Sequence, residues 1–371
     1  MKVAVLGGGN GAHAIAADLS LGGIAVKMWE HPKFSEKFQR TLQLGKIEIE
    51  GVARQGIAEI AEVTMDLKKA IKGVDLIMVV MPAFGHEEIA RLCAPLVEES
   101  QTIILIPGNA GSFVFMKTFK ELNVKKNLTL CETSTLPYAT RLIGPAHVKV
   151  LIKARIVPLG VFPAKETNKV VEKFKSLYPE TIAARNVIEA AINNPNPIVH
   201  SAGSLLNAGR IEYSGGEFYF YKEGLTKAVG NLIVAMDEER IAISKALGLR
   251  IYSTEETSSD SFLNTSMDVL FGSGSPPRLE LEPAGKQRSP SNLEDRFITE
   301  DVPFGLVFMA SLGKLTGVHV PVMEAVIRLF STINKSDYLK MGRNMERLGI
   351  SNLSKEALIK LLEKGGHYDR L

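Results

Sequence analysis

The chain has 371 residues, of which 45% are hydrophobic and 23% charged, and this composition excludes disordered, collagen-like and coiled-coil proteins. Forty-four Lys and Arg residues against 41 Asp and Glu residues leave a formal net charge of +3, too small a field to indicate a nucleic-acid partner. Two cysteines, Cys93 and Cys131, cannot build a disulfide framework, and no apolar run approaches the roughly 20 residues of a membrane span. With no secretion signal in the first residues, we expect a cytoplasmic protein without a membrane partner.

The first half of the chain alternates short apolar runs with segments of helical period. Strands are predicted at 3–6, 24–29, 75–81, 102–106, 128–132, 148–152, 155–161 and 182–184. Helices are predicted at 10–22, 33–43, 66–72, 85–98 and 165–177. This alternation is typical of an α/β fold with a doubly wound parallel sheet. The strand-like pieces 148–152 and 155–161 are expected to pair with each other around Lys153.

Helical patterns replace strands after residue 186, so a domain boundary is predicted there and 187–371 is predicted to be all-α. The expected helices are 186–193, 197–209, 222–247, 302–315, 320–333 and 355–363. Between them lies a loop at about 250–295, rich in Ser, Gly and Pro, that is longer than most structureless connections. The sequence leaves open whether this loop is a mobile lid or is disordered.

A glycine motif opens the chain between a predicted strand and a predicted helix. Gly7 permits a tight turn, Gly9 lets the backbone approach a pyrophosphate, and Ala12 allows the helix to pack closely on the strand. Asn10 and Gly11 would present helix N-terminal amides to the phosphates. A dinucleotide is therefore the expected cofactor.

Glu30 ends the next predicted strand. In dinucleotide-binding folds an acidic residue at this position binds the hydroxyls of the adenosine ribose. NAD is therefore favoured, while His31, Lys33 and Arg40 leave NADP open. Further turns follow predicted strands at their carboxyl ends, where open α/β sheets bind ligands. The residues of these turns that we expect to contact the cofactor are Pro82, Ala83 and Gly108.

Among the seven histidines, His200 is the candidate acid–base group, because it follows the polar, proline-rich stretch 193–197 at the start of an apolar helix. A dehydrogenase that reduces C=O or C=N needs a proton donor, and histidine titrates near neutrality. From spacing alone, a helix-capping or core histidine is the simpler interpretation.

Blocks along most of the chain resemble the opine dehydrogenases, which include the octopine and nopaline enzymes. The matching blocks are 7–13, 80–86, 106–109, 132–141, 196–200, 206–209, 218–224, 237–240 and 296–303. The resemblance implies an N-terminal Rossmann domain, a C-terminal all-α domain and an active site in the cleft between them. It further implies NAD(P)H-dependent reductive condensation of an amino acid with a 2-oxo acid.

The resemblance also assigns roles to individual residues. His200 would exchange protons with the substrate and Asp301 would fix its tautomer, although Asp301 could instead simply cap the following helix. Arg296 matches a family arginine that binds a substrate carboxylate. Arg141 is a second candidate, with a surface salt bridge as its alternative. Asn207 is expected to orient His200 or to contact the substrate.

The loop from 133 to 138, with Thr135 and Tyr138, is expected to line the cleft. Tyr138 and Thr140 depart from residues of better-studied members, which leaves the amino-acid substrate open. No metal ligand set is apparent in the sequence.

Other functions are consistent with the same layout. They include a 2-oxo acid or ketopantoate reductase, a glycerol-3-phosphate type dehydrogenase, and a non-catalytic NAD-binding redox sensor. A homodimer is favoured slightly over a monomer.

Overall fold

The computed structural model of the protein describes residues 1–252 and 287–365. They form two units, one of Met1–Ala190 together with residues 361–365, and one from the described residues of Ala191–Lys360. Residues 361–365, which the prediction placed in the second domain, group with the first unit. Gly365 packs closely against Pro163 of the first unit, because a Cβ added to Gly365 would lie only 2.7 Å from the Cβ of Pro163. Residues 253–286 of the predicted loop 250–295 lie outside the described residues.

An eight-stranded sheet with the order β12-β11-β8-β7-β6-β1-β2-β5 forms the centre of the first unit. Its pairings are parallel except for β8 with β11, which is antiparallel. The strands are β1 (Lys2–Leu6), β2 (Ala25–Trp29), β5 (Glu62–Thr64), β6 (Leu76–Val79), β7 (Thr102–Leu105), β8 (Thr129–Thr133), β11 (Val157–Phe162) and β12 (Thr181–Ala183).

The strands β6 and β7 are buried at every position. Because successive side chains point to opposite faces of a sheet, both faces must be covered here. This explains why their sequences are continuous apolar runs, and it confirms the predicted α/β class.

Helices connect the strands of this unit. They are α1 (Asn10–Leu21), α2 (Ser35–Leu44), α3 (Leu67–Ile71), α4 (His86–Cys93), α5 (Gly111–Glu121), α6 (Thr167–Lys175) and α7 (Val187–Ile192), which ends in the second unit. Short 3₁₀ turns occur at Pro32–Phe34, Ala83–Gly85 and Ala164–Glu166. The helix α5 was not predicted.

A second, four-stranded sheet, with the order β4-β3-β10-β9, packs on α1. Its strands are β3 (Lys46–Gly51), β4 (Gly56–Glu59), β9 (Tyr138–Gly144) and β10 (His147–Lys153). The predicted pairing of 148–152 with 155–161 is wrong, because β10 pairs with β9 and β3, whereas β11 belongs to the large sheet. Charged residues alternate with the buried Ile47 and Ile49 in β3, so it offered only a weak hydrophobic signal.

The described part of the second unit consists of helical elements with one isolated bridge between Tyr219 and Arg288. The α-helices are α8 (Asn196–Leu206), α9 (Ala208–Ser214), α10 (Lys227–Ala246), α11 (Arg296–Thr299), α12 (Val307–Thr316), α13 (Pro321–Ile333), α14 (Tyr338–Met341) and α15 (Lys355–Lys364), which ends in the first unit. Among the residues that the structure describes here, two π-helical turns occur, Phe220–Gly224 and Val302–Leu306. No helix among the described residues is long and apolar enough to cross a membrane.

Candidate active site

A buried acid–base cluster in the second unit is centred on His200, which lies on α8. Its Nδ1 is 2.7 Å from Asp301 Oδ2, and its Nε2 is 2.9 Å from the Tyr221 hydroxyl. The exposed fractions of His200, Asp301 and Tyr221 are 6%, 7% and 2%. The two residues that the family resemblance paired therefore lie within hydrogen-bond distance in a nearly dry environment.

Aromatic rings fix the plane of the imidazole. The Phe297 ring is stacked on His200 with a centroid distance of 3.7 Å and an interplanar angle of 1°. Phe220 meets both of these rings edge-on. With one face covered and both nitrogens bonded, the imidazole has little freedom to rotate, as a group that transfers protons in a defined direction requires.

Local sequence explains how two distant segments meet at His200. Pro197 lies in the first turn of α8, where a missing N–H costs nothing. A Cβ on Gly305 would lie 2.2 Å from Cγ of Pro197, so glycine is needed for the turn that follows Asp301 to approach α8. The Asp301–His200 bond thus depends on a close approach of the backbone.

The hydrogen-bond pattern defines what this cluster can do. An ionised carboxylate only accepts, so Nδ1–H of His200 donates to Asp301, and in the neutral imidazole Nε2 is left as the acceptor. Nε2 is therefore the nitrogen that can take up or release a proton. Its present partner, the Tyr221 hydroxyl, can either donate or accept.

Two further candidates lie near this cluster in the chain. Arg296 precedes Phe297, its side chain is 62% exposed, and its Nη1 is 3.5 Å from Glu300 Oε2. The exposed guanidinium thus remains accessible to a carboxylate. Asn207 does not orient His200 through its amide nitrogen, because Nδ2 donates to the carbonyls of Gly203 and Gly224.

The three candidates from the first unit have different environments. Tyr138 is 3% exposed in the hydrophobic core, and its hydroxyl donates to Asp18 Oδ2 at 2.6 Å. In this structure the Tyr138 hydroxyl is thus bonded within the core, whereas the sequence prediction placed Tyr138 at a substrate. Arg141 is exposed on β9 and donates to the Thr140 carbonyl. Thr135 is half-buried, and its carbonyl accepts from the Thr133 hydroxyl.

The glycine turn between β1 and α1 has the geometry that a pyrophosphate needs. Gly7 has φ of +132°, and a Cβ there would lie 2.2 Å from the Val80 carbonyl oxygen. A Cβ on Gly9, in contrast, would meet nothing within 4 Å. Gly9 is also the N-cap of α1 and has no side chain to bond the amides of the first turn, which include those of Asn10, Gly11 and Ala12. Open space and unused amides together fit a bound phosphate.

Glu30 lies directly beside this turn. Its Oε1 accepts from the His31 amide at 2.7 Å, and a Cβ on Gly8 would lie 2.5 Å from its Oε2. Burial raises the pKa of this carboxyl above its ordinary value. The downstream bases, His31 and Lys33, both contact Glu88, at 3.5 and 3.3 Å.

The remaining cofactor candidates lie at the ends of the neighbouring strands. Pro82 and Ala83 follow β6 and open the 3₁₀ turn Ala83–Gly85. Gly108 follows β7, and a Cβ there would lie 2.1 Å from Cβ of Glu132, so only glycine fits. Parallel strands end at one edge of the sheet, which places these turns on the same edge as the glycine motif. Within the described part of the chain, no group of His, Cys, Asp and Glu could hold a metal ion.

Comparison with known proteins gives the family. Residues 183–334 match the model of the NAD/NADP octopine/nopaline dehydrogenase α-helical domain, and residues 2–156 match that of the NAD-dependent glycerol-3-phosphate dehydrogenase N-terminus. An opine dehydrogenase of Arthrobacter sp. (strain 1C) is 35% identical over 353 residues, which cover 95% of this chain and 96% of that protein. The chain belongs to the opine dehydrogenase family.

Solved structures of similar proteins agree with this chain in fold. An octopine dehydrogenase in complex with NADH and agmatine superimposes with a TM-score of 0.73 at 19% identity, covering 99% of both chains. Yersinopine dehydrogenase with NADP⁺ gives 0.71 at 14% identity and covers 100% of this chain and 99% of its own. The expected Rossmann domain followed by a helical domain is thereby confirmed, as is the family resemblance. The protein is an NAD(P)-dependent dehydrogenase.

Sequence reasoning missed Tyr221 and Phe297, which contact His200 directly. Both lie in blocks that resemble the family, 218–224 and 296–303, but neither had a role assigned to it. The only available signal was position, because Phe297 adjoins Arg296 and Tyr221 lies in an aromatic run.

Proposed function

We propose that this protein joins the amine of an L-amino acid to a 2-oxo acid by reductive condensation, with His200 as the general acid–base and Asp301 as its orienting carboxylate. The observation that carries the proposal is the buried 2.7 Å contact between His200 Nδ1 and Asp301. Condensation of an amine with a ketone moves protons onto and off the oxygen that leaves as water. A histidine held in one tautomer is suited to both directions of transfer.

The cofactor, when bound, supplies the hydride that reduces the C=N bond. Gly9 and the first turn of α1 would hold its pyrophosphate, and Pro82, Ala83 and Gly108 would border it. Glu30 would accept from the ribose hydroxyls and repel a 2′-phosphate. His31 and Lys33 both contact Glu88 and so are not directed at a 2′-phosphate. We therefore propose that the protein prefers NADH over NADPH.

Each of the two carboxylates of the substrates needs a cationic or donor partner. Arg296 is proposed for one, because its planar guanidinium binds a carboxylate through two parallel bonds. Arg141 and Thr135 are proposed as further contacts. Octopine dehydrogenases have been solved with L-arginine and with pyruvate, so this pair is the starting point for a substrate search.

The test is a matrix of 2-oxo acids and L-amino acids with NADH or NADPH, with each oxo acid alone as a control. It compares the wild type with His200→Ala and with His319→Ala, an exposed histidine of the same unit. We expect turnover that requires both substrates, is lost in His200→Ala and is retained in His319→Ala.

Two outcomes would contradict the proposal. Turnover with an oxo acid alone would place the protein among the 2-oxo acid reductases. Tight NADH binding without any turnover would indicate a redox sensor. Tryptophan or NADH fluorescence in both variants checks that lost turnover does not reflect lost cofactor binding.

A further inference from the structure

His200 has a hydrogen-bond partner at each ring nitrogen. Asp301 occupies Nδ1 at 2.7 Å, and Tyr221 occupies Nε2 at 2.9 Å. A substrate oxygen therefore cannot bond Nε2 while the Tyr221 contact is in place. Either Tyr221 moves away when substrate binds, or the proton passes through its hydroxyl.

The turn that carries Tyr221 is hydrogen-bonded to other segments at both ends, which disfavours its movement. At one end, the amide of Phe220 donates to the Gln287 carbonyl at 3.0 Å. At the other, Asn207 Nδ2 donates to the Gly224 carbonyl at 2.9 Å.

The side chain of Glu223, within the turn, adds further interactions. Glu223 accepts from the Tyr219 amide at 2.8 Å and forms an ion pair with Arg210. The Tyr221 ring is itself 2% exposed and meets Phe220 edge-on at 5.2 Å. Withdrawing the hydroxyl from His200 would require the buried ring to rotate against Phe220, or this turn to unfold locally.

We propose that Tyr221 is a catalytic residue, the relay through which His200 exchanges protons with the oxygen of the 2-oxo acid. This inference rests on the proposed reductive condensation. A phenol suits the task, because its oxygen can accept a proton from imidazolium while its own proton leaves.

The transfer balances without any further reactant. The O–H bond of Tyr221 breaks as its proton forms an O–H bond with the substrate oxygen, and the Nε2–H proton of His200 moves to the Tyr221 oxygen. Imidazolium becomes neutral imidazole, the substrate oxygen gains one proton, and Tyr221 ends as it began. Asp301 remains ionised throughout. In the oxidative direction the same two protons move back.

The experiment compares wild type, Tyr221→Phe and Tyr213→Phe. Tyr213 is 95% exposed on α9 and controls for the loss of a tyrosine hydroxyl. We expect Tyr221→Phe to lower kcat at least about 100-fold, the lower end of the range for general acid–base groups, with unchanged NADH affinity. Tyr213→Phe should keep wild-type kcat. ¹⁵N NMR of the imidazole provides a readout independent of turnover, since the Nε2 resonance of His200 should shift in Tyr221→Phe only.

The outcomes separate the relay from the function on which it rests. A kcat of Tyr221→Phe within threefold of an active wild type would overturn the relay alone, as would an unchanged Nε2 resonance. An increased kcat/KM in this variant would show that Tyr221 is displaced by substrate. If the wild type turned over no pair of substrates, the proposed function would fail, and the relay with it.

Discussion

Replacement of Asp301 by Asn tests whether the charge of this residue, rather than its shape, supports proton transfer by His200. Asparagine keeps the size of the side chain and an oxygen to accept from Nδ1–H, but it removes the negative charge. The two partners are 2.7 Å apart and each is less than a tenth exposed. Removing one charge of a buried pair costs about 3–5 kcal/mol. If imidazolium forms in the transition state, this cost corresponds to a decrease of about 10²- to 10⁴-fold in kcat/KM.

Steady-state kinetics with saturating NADH measures this decrease, and NADH titration checks that the cofactor site is intact. The control is Asp337→Asn, which changes an exposed helix-capping residue of the same unit and should leave the kinetics unchanged because Asn caps as well as Asp. A kcat/KM of Asp301→Asn within threefold of wild type would refute the reasoning. So would an equal loss in the control.

Three further substitutions test the sites individually. Gly9→Ala adds a Cβ into open space, so the free energy of unfolding should stay within about 0.5 kcal/mol of the wild-type value. The affinity for NADH, measured by fluorescence titration, should fall at least tenfold. Undiminished affinity would contradict the proposed pyrophosphate site. Gly305→Ala places a Cβ 2.2 Å from Cγ of Pro197 on α8, so it should lower the free energy of unfolding in urea by about 1–3 kcal/mol and reduce kcat. The control Gly209→Ala, in which the added Cβ on α9 meets nothing within 4 Å, should not destabilise the protein. Equal stability of the two variants would be evidence against the close approach of Gly305 to α8. Glu30→Gln removes a carboxyl whose pKa is raised by burial, so the native state holds its proton more tightly than the unfolded chain and stability is lost as pH rises from the ordinary 4.5 through the raised value. Relative to wild type, Glu30→Gln should therefore gain stability as the pH rises above 4.5 and yet bind NADH more weakly. The exposed Glu36→Gln should not show this pattern.

The large sheet and the glycine turn were predictable because their signals are local. A strand buried on both faces is a continuous apolar run, as in β6 and β7, and a turn that must bring backbone to a phosphate needs glycine at 7 and 9. The small sheet was not predictable in this way. Its strand β3 pairs with β10, about a hundred residues later in the sequence, and nothing within β3 specifies that partner.

The acid–base cluster shows the same limit more sharply. His200 and Asp301 were paired only through family resemblance, since they are separated by 101 positions and each has an ordinary structural alternative in its own segment. Phe297 and Tyr221 were missed because an aromatic residue in a helical domain usually only fills the core. Only three-dimensional structure distinguishes a ring stacked on imidazole from one that merely packs.

Two π-helical turns explain how a helical unit brings these groups together. Tyr221 lies within Phe220–Gly224, and Asp301 immediately precedes Val302–Leu306. A π turn accommodates an additional residue relative to an α-helix and so redirects the side chains around it, which is why such turns are frequent at functional sites. In this protein one turn directs the Tyr221 hydroxyl at Nε2 of His200. The other lies next to Asp301, whose carboxylate is bonded to Nδ1 of His200. Each turn costs regular hydrogen bonding, and the cost is understandable if both nitrogens of His200 have to be engaged for proton transfer.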